Sequence, residues 1–209
     1  MSGRTRSRAR LTRWALRLSE RERPPRVVLD TDVIFSRVLY ELLGRLALQQ
    51  RLLTLIWSDE LLVEAERVLA ARKPLPAAAA AQWVGYLREA FPRERVDLDT
   101  LEAGVDLGSL TSDPDDEHIC ALALAGDAEL VVTFDHGYQQ AELAALGVSV
   151  LDPDAYLSGL LAEESGAVLA SVEATARAWG GGRSVDELLE ALARAGAGKL
   201  AARLGAARP

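Results

Sequence analysis

Two carboxylates stand one residue apart at the end of a short apolar run, Val27-Val28-Leu29-Asp30-Thr31-Asp32. An apolar run of this length that ends in acid is typical of a buried parallel strand whose carboxyl end opens onto a site. Two carboxylates this close repel each other unless a positive charge lies between them, and a divalent cation commonly supplies it. The alternative is structural: Asp32 caps the next helix and Asp30 is a turn residue.

Other acids fall at comparable positions along the chain. A predicted strand at 130–134 ends at Asp135, at the same carboxyl end that the first acid pair occupies on its own strand. A predicted helix at 59–72 carries Glu64 and Glu66 on either side of its apolar stripe, each about 100° away by helix geometry. Periodicity therefore does not choose between the two glutamates, and a solvent-facing role for either is the simpler interpretation.

A third acidic segment opens a predicted helix at 113–125. Asp113 suits the N-cap of this helix and Pro114 its first position. Asp115 and Asp116 lie in the first turn, where the helix dipole favours acids without any function. Because the N-cap is already supplied, we expect both to project toward the apolar side of the helix, where a carboxylate needs a partner.

One acid from each of four separated segments can therefore meet in a single cleft. Such a cluster suits Mg²⁺ or Mn²⁺ and phosphodiester hydrolysis, in which one ion lowers the pKa of a water and a second, about 3.5–4 Å away, stabilises the leaving oxygen. The single cysteine, Cys120, excludes a cysteine-rich zinc site, and the metal is expected to be a hard cation held by oxygen. His118 and His136 are interpreted as bystanders, because a metal hydroxide needs no histidine base.

The elements that must position these acids alternate between strand and helix from residue 26 to residue 157. This alternation predicts an α/β fold with a parallel sheet covered on both faces. Beyond residue 157 only helical patterns remain, so 158–209 is predicted to be a C-terminal helical extension of the 26–157 domain. The predicted strands are 26–30, 53–57, 130–134 and 147–151, and the main predicted helices are 33–50, 59–72, 77–90, 113–125, 158–178 and 184–195, the last two joined by a glycine hinge at 180–182.

The charge of the 209-residue chain is unevenly distributed. Residues 1–26 hold nine arginines and two glutamates, a net of +7, so the overall −7 leaves −14 on the remainder. We expect 1–25 to be a flexible basic arm that can contact nucleic acid or an acidic partner. No apolar run reaches roughly 18 residues and no secretory signal is visible, which predicts no membrane partner and a cytoplasmic location.

Four segments together resemble the PIN domain family, close to the VapC-like toxins of bacterial toxin–antitoxin pairs. The segments are Val-Val-Leu-Asp30-Thr-Asp32-Val, Ser58-Asp-Glu-Leu-Leu-Val-Glu64-Ala-Glu-Arg-Val-Leu, Asp113-Pro-Asp-Asp116-Glu-His-Ile-Cys-Ala-Leu-Ala and Leu-Val-Val-Thr133-Phe-Asp135. The resemblance implies a three-layer fold with a central parallel sheet of four to five strands. It also implies that the metal-binding and catalytic acids are Asp30, Glu64, Asp116 and Asp135.

The same resemblance selects Glu64 over Glu66 and suggests supporting roles for three neighbours. Thr133 matches a hydroxyl residue expected to orient an acid or a water, and Asp115 adjoins a metal-binding acid. Asp32 departs from the family, which commonly has asparagine there, so the extra charge is expected to alter metal binding. The implied activity is a Mg²⁺- or Mn²⁺-dependent endoribonuclease that leaves a 5′-phosphate and a 3′-hydroxyl. The implied partners are RNA, a cognate antitoxin protein and, as an alternative, a second copy of the chain in a homodimer.

Two other functions remain open from the sequence. The Asp30-Thr-Asp32 segment also resembles the first motif of haloacid dehalogenase-type phosphatases, with Asp30 as nucleophile and Asp32 as acid and base. That chemistry needs a lysine, and only Lys73 and Lys199 are present, the first of them in a proline-flanked turn. The third possibility is a binding module without catalysis, in which the acids serve only as caps and surface charge.

Overall fold

Four short parallel strands form a sheet in the computed structural model, which describes residues 23–73, 76–179 and 184–207. The strands are β1 (Arg26–Leu29), β2 (Thr54–Ile56), β3 (Leu130–Val132) and β4 (Ser149–Leu151). Their order is β2-β1-β3-β4, and every neighbouring pair is parallel. The apolar side chains of β1 and β3 are almost fully buried, as expected for the central strands of a parallel sheet. The predicted α/β class with C-terminal helices is therefore confirmed.

The sheet belongs to a compact unit formed by residues 25–40 and 53–152. Its helices are α1 (Thr31–Phe35), the start of α2 (Arg37–Leu48), α3 (Asp59–Arg72), α4 (Ala77–Ala90), α5 (Glu117–Ala125) and α6 (Gln140–Ala145). Short 3₁₀ turns occupy Leu98–Thr100, Leu107–Ser109 and Pro114–Asp116. The N-cap of α3 is Ser58, whose hydroxyl accepts the N–H of Leu61.

Three predicted elements differ from the structure near the acids. The helix expected at 33–50 is two helices, because Ser36 has an extended backbone (φ −83°, ψ 99°) that ends α1. The strand expected at 130–134 ends at Val132, and the backbone after it turns toward the acids. The helix expected at 113–125 begins with the 3₁₀ turn Pro114–Asp116, and regular α-helix starts only at Glu117.

A second compact unit combines residues 41–52 with the chain from Pro153 onward. Its helices include α7 (Pro153–Glu163), α8 (Ser165–Ala178), α9 (Val185–Arg194) and α10 (Gly198–Ala206). The helix predicted at 158–178 is thus split between α7 and α8. Helix α10 was not predicted, although Leu200, Ala201 and Leu204 lie at helical spacing and are buried. The capping box that starts α9, Ser184 with Glu187, is present as predicted.

The helices of this second unit bury the apolar stripes that the sequence shows, with Val168, Val172, Leu188 and Leu192 at 0–1% exposure. A groove of about 350 Å³ remains in the unit, lined by residues that include Leu169, Val172 and Leu204. Short helices do not stay folded alone in water, so this mutual packing stabilises them.

Some predictions fall on residues that the structure does not describe. The basic arm at 1–25 lies almost entirely outside the described residues, and so does the glycine hinge at 180–182. The predicted domain limits, 26–157 and 158–209, stay a prediction. Within the described ranges, no helix is long and apolar enough to cross a membrane.

Candidate active site at the carboxyl ends of β1 and β3

The register of the two central strands brings Asp30 next to Thr133. The last residues of β1 and β3, Leu29 and Val132, are paired, so the residues that follow them are neighbours. The N–H of Asp30 donates to the Val132 carbonyl at 3.0 Å, and the N–H of Thr133 donates to the Leu151 carbonyl at 3.1 Å. In the order β2-β1-β3-β4, the connection from β1 leads to one side of the sheet and the connection from β3 leads to the other. The carboxyl ends of β1 and β3 therefore form the switch point of the sheet, where open α/β sheets bind their ligands.

Asp30 is a buried carboxylate held by three donors. It is 5% exposed and serves as the N-cap of α1. Its Oδ1 accepts the N–H of Thr31 at 2.6 Å, and its Oδ2 accepts the hydroxyls of Thr133 at 2.7 Å and Tyr138 at 2.9 Å. Burial raises the pKa of Asp30 above its ordinary value, and the three hydrogen bonds partly oppose this. The carboxylate is consequently fixed in one orientation.

The hydroxyl of Thr133 forms hydrogen bonds with two acidic segments. Its Oγ1 accepts the backbone N–H of Asp135 at 2.9 Å and donates its single proton to Asp30. The same oxygen is 3.5 Å from Asp32 Oδ2, too far for a second strong bond. The backbone after β3 therefore sets the direction of the hydroxyl that orients Asp30.

Asp32 has one oxygen that accepts a hydrogen bond and one without a partner among the described residues. Its Oδ2 accepts the N–H of Phe134 at 2.9 Å, and its Oδ1 is buried without a hydrogen-bond partner among the described residues. Burial and the charge of Asp30 raise the pKa of Asp32 to about 7. Near neutral pH the carboxyl is therefore protonated for part of the time and, like an asparagine, then offers one donor and one acceptor.

Asp116 reaches the cluster and Asp115 does not. The carboxylate of Asp113 accepts the N–H of Asp115 at 3.0 Å and starts the 3₁₀ turn, in which successive residues point about 120° apart. Asp115 is therefore exposed, and the prediction that both acids project inward is wrong for it. Asp116 is half-buried, and its Oδ2 has no partner among the described residues. Burial, then the charges of Asp30, Asp135 and other acids, raise the pKa of Asp116 to about 7.

Glu64 lies in the cluster through a contact with His118. Its Oε2 accepts the Thr31 hydroxyl at 3.0 Å and lies 3.0 Å from Nε2 of His118, off the direction of a good hydrogen bond, so that contact is mainly electrostatic. The other ring nitrogen of His118 is 2.7 Å from the Asp115 carbonyl. Both nitrogens thus lie close to acceptor oxygens, which favours the doubly protonated imidazolium.

The pKa values of this pair agree with that assignment. The polar contact with His118 lowers the pKa of Glu64. Burial opposes a charged His118, but its contacts with Glu64 and with the Asp115 carbonyl raise its pKa overall. The interpretation of His118 as a bystander is therefore wrong, because it supplies a positive charge inside the acidic cluster. His136 is exposed.

Asp135 lies at the exposed side of the cluster, where a glycine is needed. Its Oδ1 accepts the N–H of Gly137 in a very short hydrogen bond. A Cβ atom at position 137 would lie 3.0 Å from that oxygen and 2.9 Å from the hydroxyl of Ser112. Any larger residue would therefore push against the Asp135 side chain and shift it.

Sequence reasoning did not find Tyr138, although its hydroxyl touches Asp30. The side chain is 4% exposed, and its backbone forms an isolated antiparallel bridge with Thr111. Burial and the charge of Asp30 raise the pKa of the phenol, which stays a hydrogen-bond donor. Its position three residues after Asp135 is a weak signal, because the contact depends on how the loop folds back.

A family model described as PIN domain matches residues 26–137, slightly more than half of the chain. The chain belongs to the PIN domain family. PIN domains are generally nucleases, which are hydrolases, and they generally use divalent metal ions. The matched span includes β1 to β3 and all four predicted acids. Comparison with curated proteins and with solved structures gives no significant match.

The acids of this PIN domain offer the oxygen ligands that a divalent cation prefers, but their carboxylate groups do not converge on one point. Among the described residues, no three carboxylate, imidazole or thiol groups converge as a metal site. The hydrogen bonds explain this, because Asp30, Glu64 and Asp135 each direct an oxygen at a protein donor. Two buried carboxylate oxygens, Asp32 Oδ1 and Asp116 Oδ2, nevertheless have no partner there. An unpartnered buried oxygen costs free energy, and a hard cation satisfies it.

Proposed function

We propose that this PIN domain is a Mg²⁺- or Mn²⁺-dependent endoribonuclease that hydrolyses phosphodiester bonds of single-stranded RNA. The observation that carries the proposal is a cluster of acids from four chain segments. Among the described residues, the imidazole of His118 lies against it, and Arg67 acts on Glu64 through its charge. So much uncompensated negative charge at the switch point of the sheet is unfavourable unless a cation joins it. Membership in a family of metal-using nucleases supports the same conclusion.

Each residue has a separate role in this proposal. Asp30, Asp116 and Asp135, together with Glu64, would hold the cation. When bound, the ion would lower the pKa of an attacking water and stabilise charge on the leaving oxygen. The hydroxyls of Thr133 and Tyr138 fix the orientation of Asp30.

His118 and Asp32 adjust the charge of the site. The imidazole of His118 favours the ionised form of Glu64, and the Thr31 hydroxyl joins Glu64 to α1. A protonated Asp32 reduces repulsion before the cation arrives, and its buried Oδ1 gains a partner when the proton leaves. Asp115 lies outside the cluster, so only its carbonyl, through His118, supports the site.

The biological setting that we propose is the toxin half of a toxin–antitoxin pair, acting on RNA in the cytoplasm. The nuclease domain would be 26–157 and the helical extension 158–209. The apolar groove in the C-terminal unit suits a helix of a cognate antitoxin, whose arginine would pair with the acids. A homodimer is the alternative occupant. A small neighbouring reading frame that encodes a DNA-binding fold would support the antitoxin.

The decisive experiment is RNA cleavage by the purified chain with Mn²⁺ and with EDTA. Glu64→Gln should abolish most cleavage, and Glu66→Gln is the matched control because it removes the same charge from an exposed position two residues along α3. Cleavage that persists in EDTA, or equal losses in both variants, contradicts the proposal. Turnover of an aryl phosphate without RNA cleavage would support the phosphatase. A melting temperature that neither Mg²⁺ nor Mn²⁺ changes would support the non-catalytic module.

A further inference from the structure

A lysine held between two aromatic rings lies at the far end of helix α1 from the acids. Lys73, the residue that ends α3, donates from Nζ to the Phe35 carbonyl at 2.6 Å. The same ammonium lies 4.2 Å from the ring centroid of Phe35 and 4.3 Å from that of Trp83. The indole N–H of Trp83 donates to the Ile34 carbonyl at 3.0 Å, which fixes the ring. The ammonium is thus held in place with little freedom of its side chain.

A second cation lies against the same indole. The guanidinium carbon of Arg37, an exposed residue, is 5.9 Å from the Trp83 centroid. Burial and the charge of Arg37 lower the pKa of Lys73. No carboxylate forms an ion pair with Lys73 among the described residues. A cation that is partly desolvated and repelled by another cation is stabilised when an anion approaches.

The ammonium still has donors to offer such an anion. A lysine carries three N–H donors, and the Phe35 carbonyl takes one of them. A purely structural role is the simpler alternative, since a lysine at a helix C-terminus stabilises its last carbonyls. That role uses one donor and does not account for the pair of rings that hold the ammonium.

The length of α1, which separates this cluster from the acids, is comparable with the spacing of phosphates along a nucleic acid strand. Helix α1 begins at Thr31, directly after Asp30, and ends at Phe35, and five residues span about 7 Å at 1.5 Å each. The phosphates of an extended single strand are farther apart than the rise of about 3.4 Å in a duplex strand, so this length places the cluster within reach of a phosphate near the cleaved bond. Outside residues 1–26 the chain carries a net charge of −14, so a polyanion needs a local positive site close to the cleft.

We propose that Phe35, Arg37, Lys73 and Trp83 form a phosphate subsite, which binds the RNA backbone near the bond that the acids cleave. This inference rests on the proposed function and adds to it a position for the substrate. The rings hold the lysine in place, and Lys73 and Arg37 contact the phosphate. The cluster lies within the same compact unit as the acids.

The test is binding of a fluorescein-labelled, single-stranded 12-nucleotide RNA to the full chain in EDTA, measured by anisotropy over a salt series. Each phosphate contact adds about 0.7 to the slope of log affinity against log salt for a single strand. Lys73→Gln should therefore reduce the slope by about 0.7 and weaken binding about fivefold at low salt, and Lys73→Arg should restore most of both. A lysine that only caps α1 would change the melting temperature and leave the slope unchanged.

Arg72→Gln is the matched control, because it removes one exposed positive charge at the adjacent position of α3. An equal reduction of the slope in this control, an unchanged slope in Lys73→Gln, or no RNA binding by the wild type at the lowest salt overturns the subsite. If Lys73→Gln does not fold, Arg37→Gln replaces it with the same expected slope change. Cleavage of the same RNA with Mn²⁺ separates the two proposals. If the wild type binds the RNA but never cleaves it, the nuclease proposal alone is contradicted. If the wild type cleaves the RNA and Lys73→Gln cleaves it with the same KM, the subsite proposal alone is contradicted.

Discussion

Asp30 and Asp154 are equally buried aspartates with opposite surroundings. Asp30 is 5% exposed and Asp154 6% exposed, and each belongs to a different compact unit. Asp154 accepts the N–H groups of Lys199 at 3.3 Å and Leu200 at 2.8 Å, at the start of α10, and the Lys199 ammonium lies 3.8 Å away. Asp30 also has donors, but Glu64 lies close enough for its charge to raise the pKa of Asp30.

The comparison shows that burial of a carboxylate does not by itself indicate a functional site. The charge of Asp154 is compensated by the amino end of a helix and by a lysine, which offsets part of the free-energy cost of burying it. The charge of Asp30 is added to those of Asp32, Asp116 and Glu64, and His118 compensates one of them. The functional signal is the excess of negative charge, which marks the cluster as a candidate binding site.

The largest expected effect is that of Asp30→Asn on RNA cleavage. Replacing the shared ligand oxygen with a neutral amide should lower cleavage at least about 100-fold, more than the loss of a residue that only supports a metal ligand. The hydroxyls of Thr133 and Tyr138 can turn to accept from the new amide, so the fold should persist. Without metal the variant should melt at a higher temperature, because one repelling charge is gone. Unchanged cleavage by the purified variant would remove the distinction between the two aspartates.

The pH dependence of stability should come next in size. The pKa values of Asp32 and Asp116 are raised to about 7 from an ordinary value of about 3.9. Between these values the folded chain binds more protons than the unfolded chain, so stability falls as the pH rises from about 4 through about 7. In EDTA the melting temperature should fall by several degrees over this range, at roughly 2–4 °C per kcal/mol. Mn²⁺ should reverse the fall, and Asp116→Asn should reduce it. A flat profile in EDTA would contradict the excess charge.

A smaller effect is expected for Tyr138→Phe. The change removes one of the three donors to Asp30 without altering the shape of the buried ring. Loss of such a supporting hydrogen bond should raise the Mn²⁺ concentration needed for half-maximal thermal stabilisation about tenfold. Tyr40→Phe is a suitable control, since Tyr40 is also buried and no acid of the cluster is among the groups that affect its hydroxyl. Equal effects of both changes would show that Tyr138 acts only through packing.

Local patterns predicted the positions of the acids, whereas their partners depend on tertiary contacts. Apolar runs ending in acid identified Asp30 and Asp135, and the proline after Asp113 identified a cap that the structure contains. The helix wheel left Glu64 and Glu66 equivalent, and the structure separates them by the Thr31 contact of Glu64. No local pattern indicates such a contact, because the two residues are brought together only by the packing of α1 on α3.

The same limit applies to the partners of Asp30 and to the helix boundaries. The bond between Tyr138 and Asp30 joins residues 108 positions apart, so a local sequence pattern contains no sign of it. Ser36, which ends α1, lies between two apolar helical stretches whose periodicity continues across it. The sequence therefore predicts the sheet and the acids at its edge, and the charge balance of the site becomes visible only in the fold.

The smallest expected effect is that of Asp154→Ala, which tests the other half of the comparison. The change removes the side chain that accepts the first N–H groups of α10, a loss of about 1 kcal/mol for a typical N-cap. The melting temperature should fall by roughly 2–4 °C. Because the charge of Asp154 is compensated within its own unit, kcat for RNA and the Mn²⁺ dependence should match those of the wild type, and the pH profile in EDTA should keep its slope. A cleavage loss as large as that of Asp30→Asn would mean that Asp154 contributes to the chemistry, and excess charge would no longer separate a functional aspartate from a structural one.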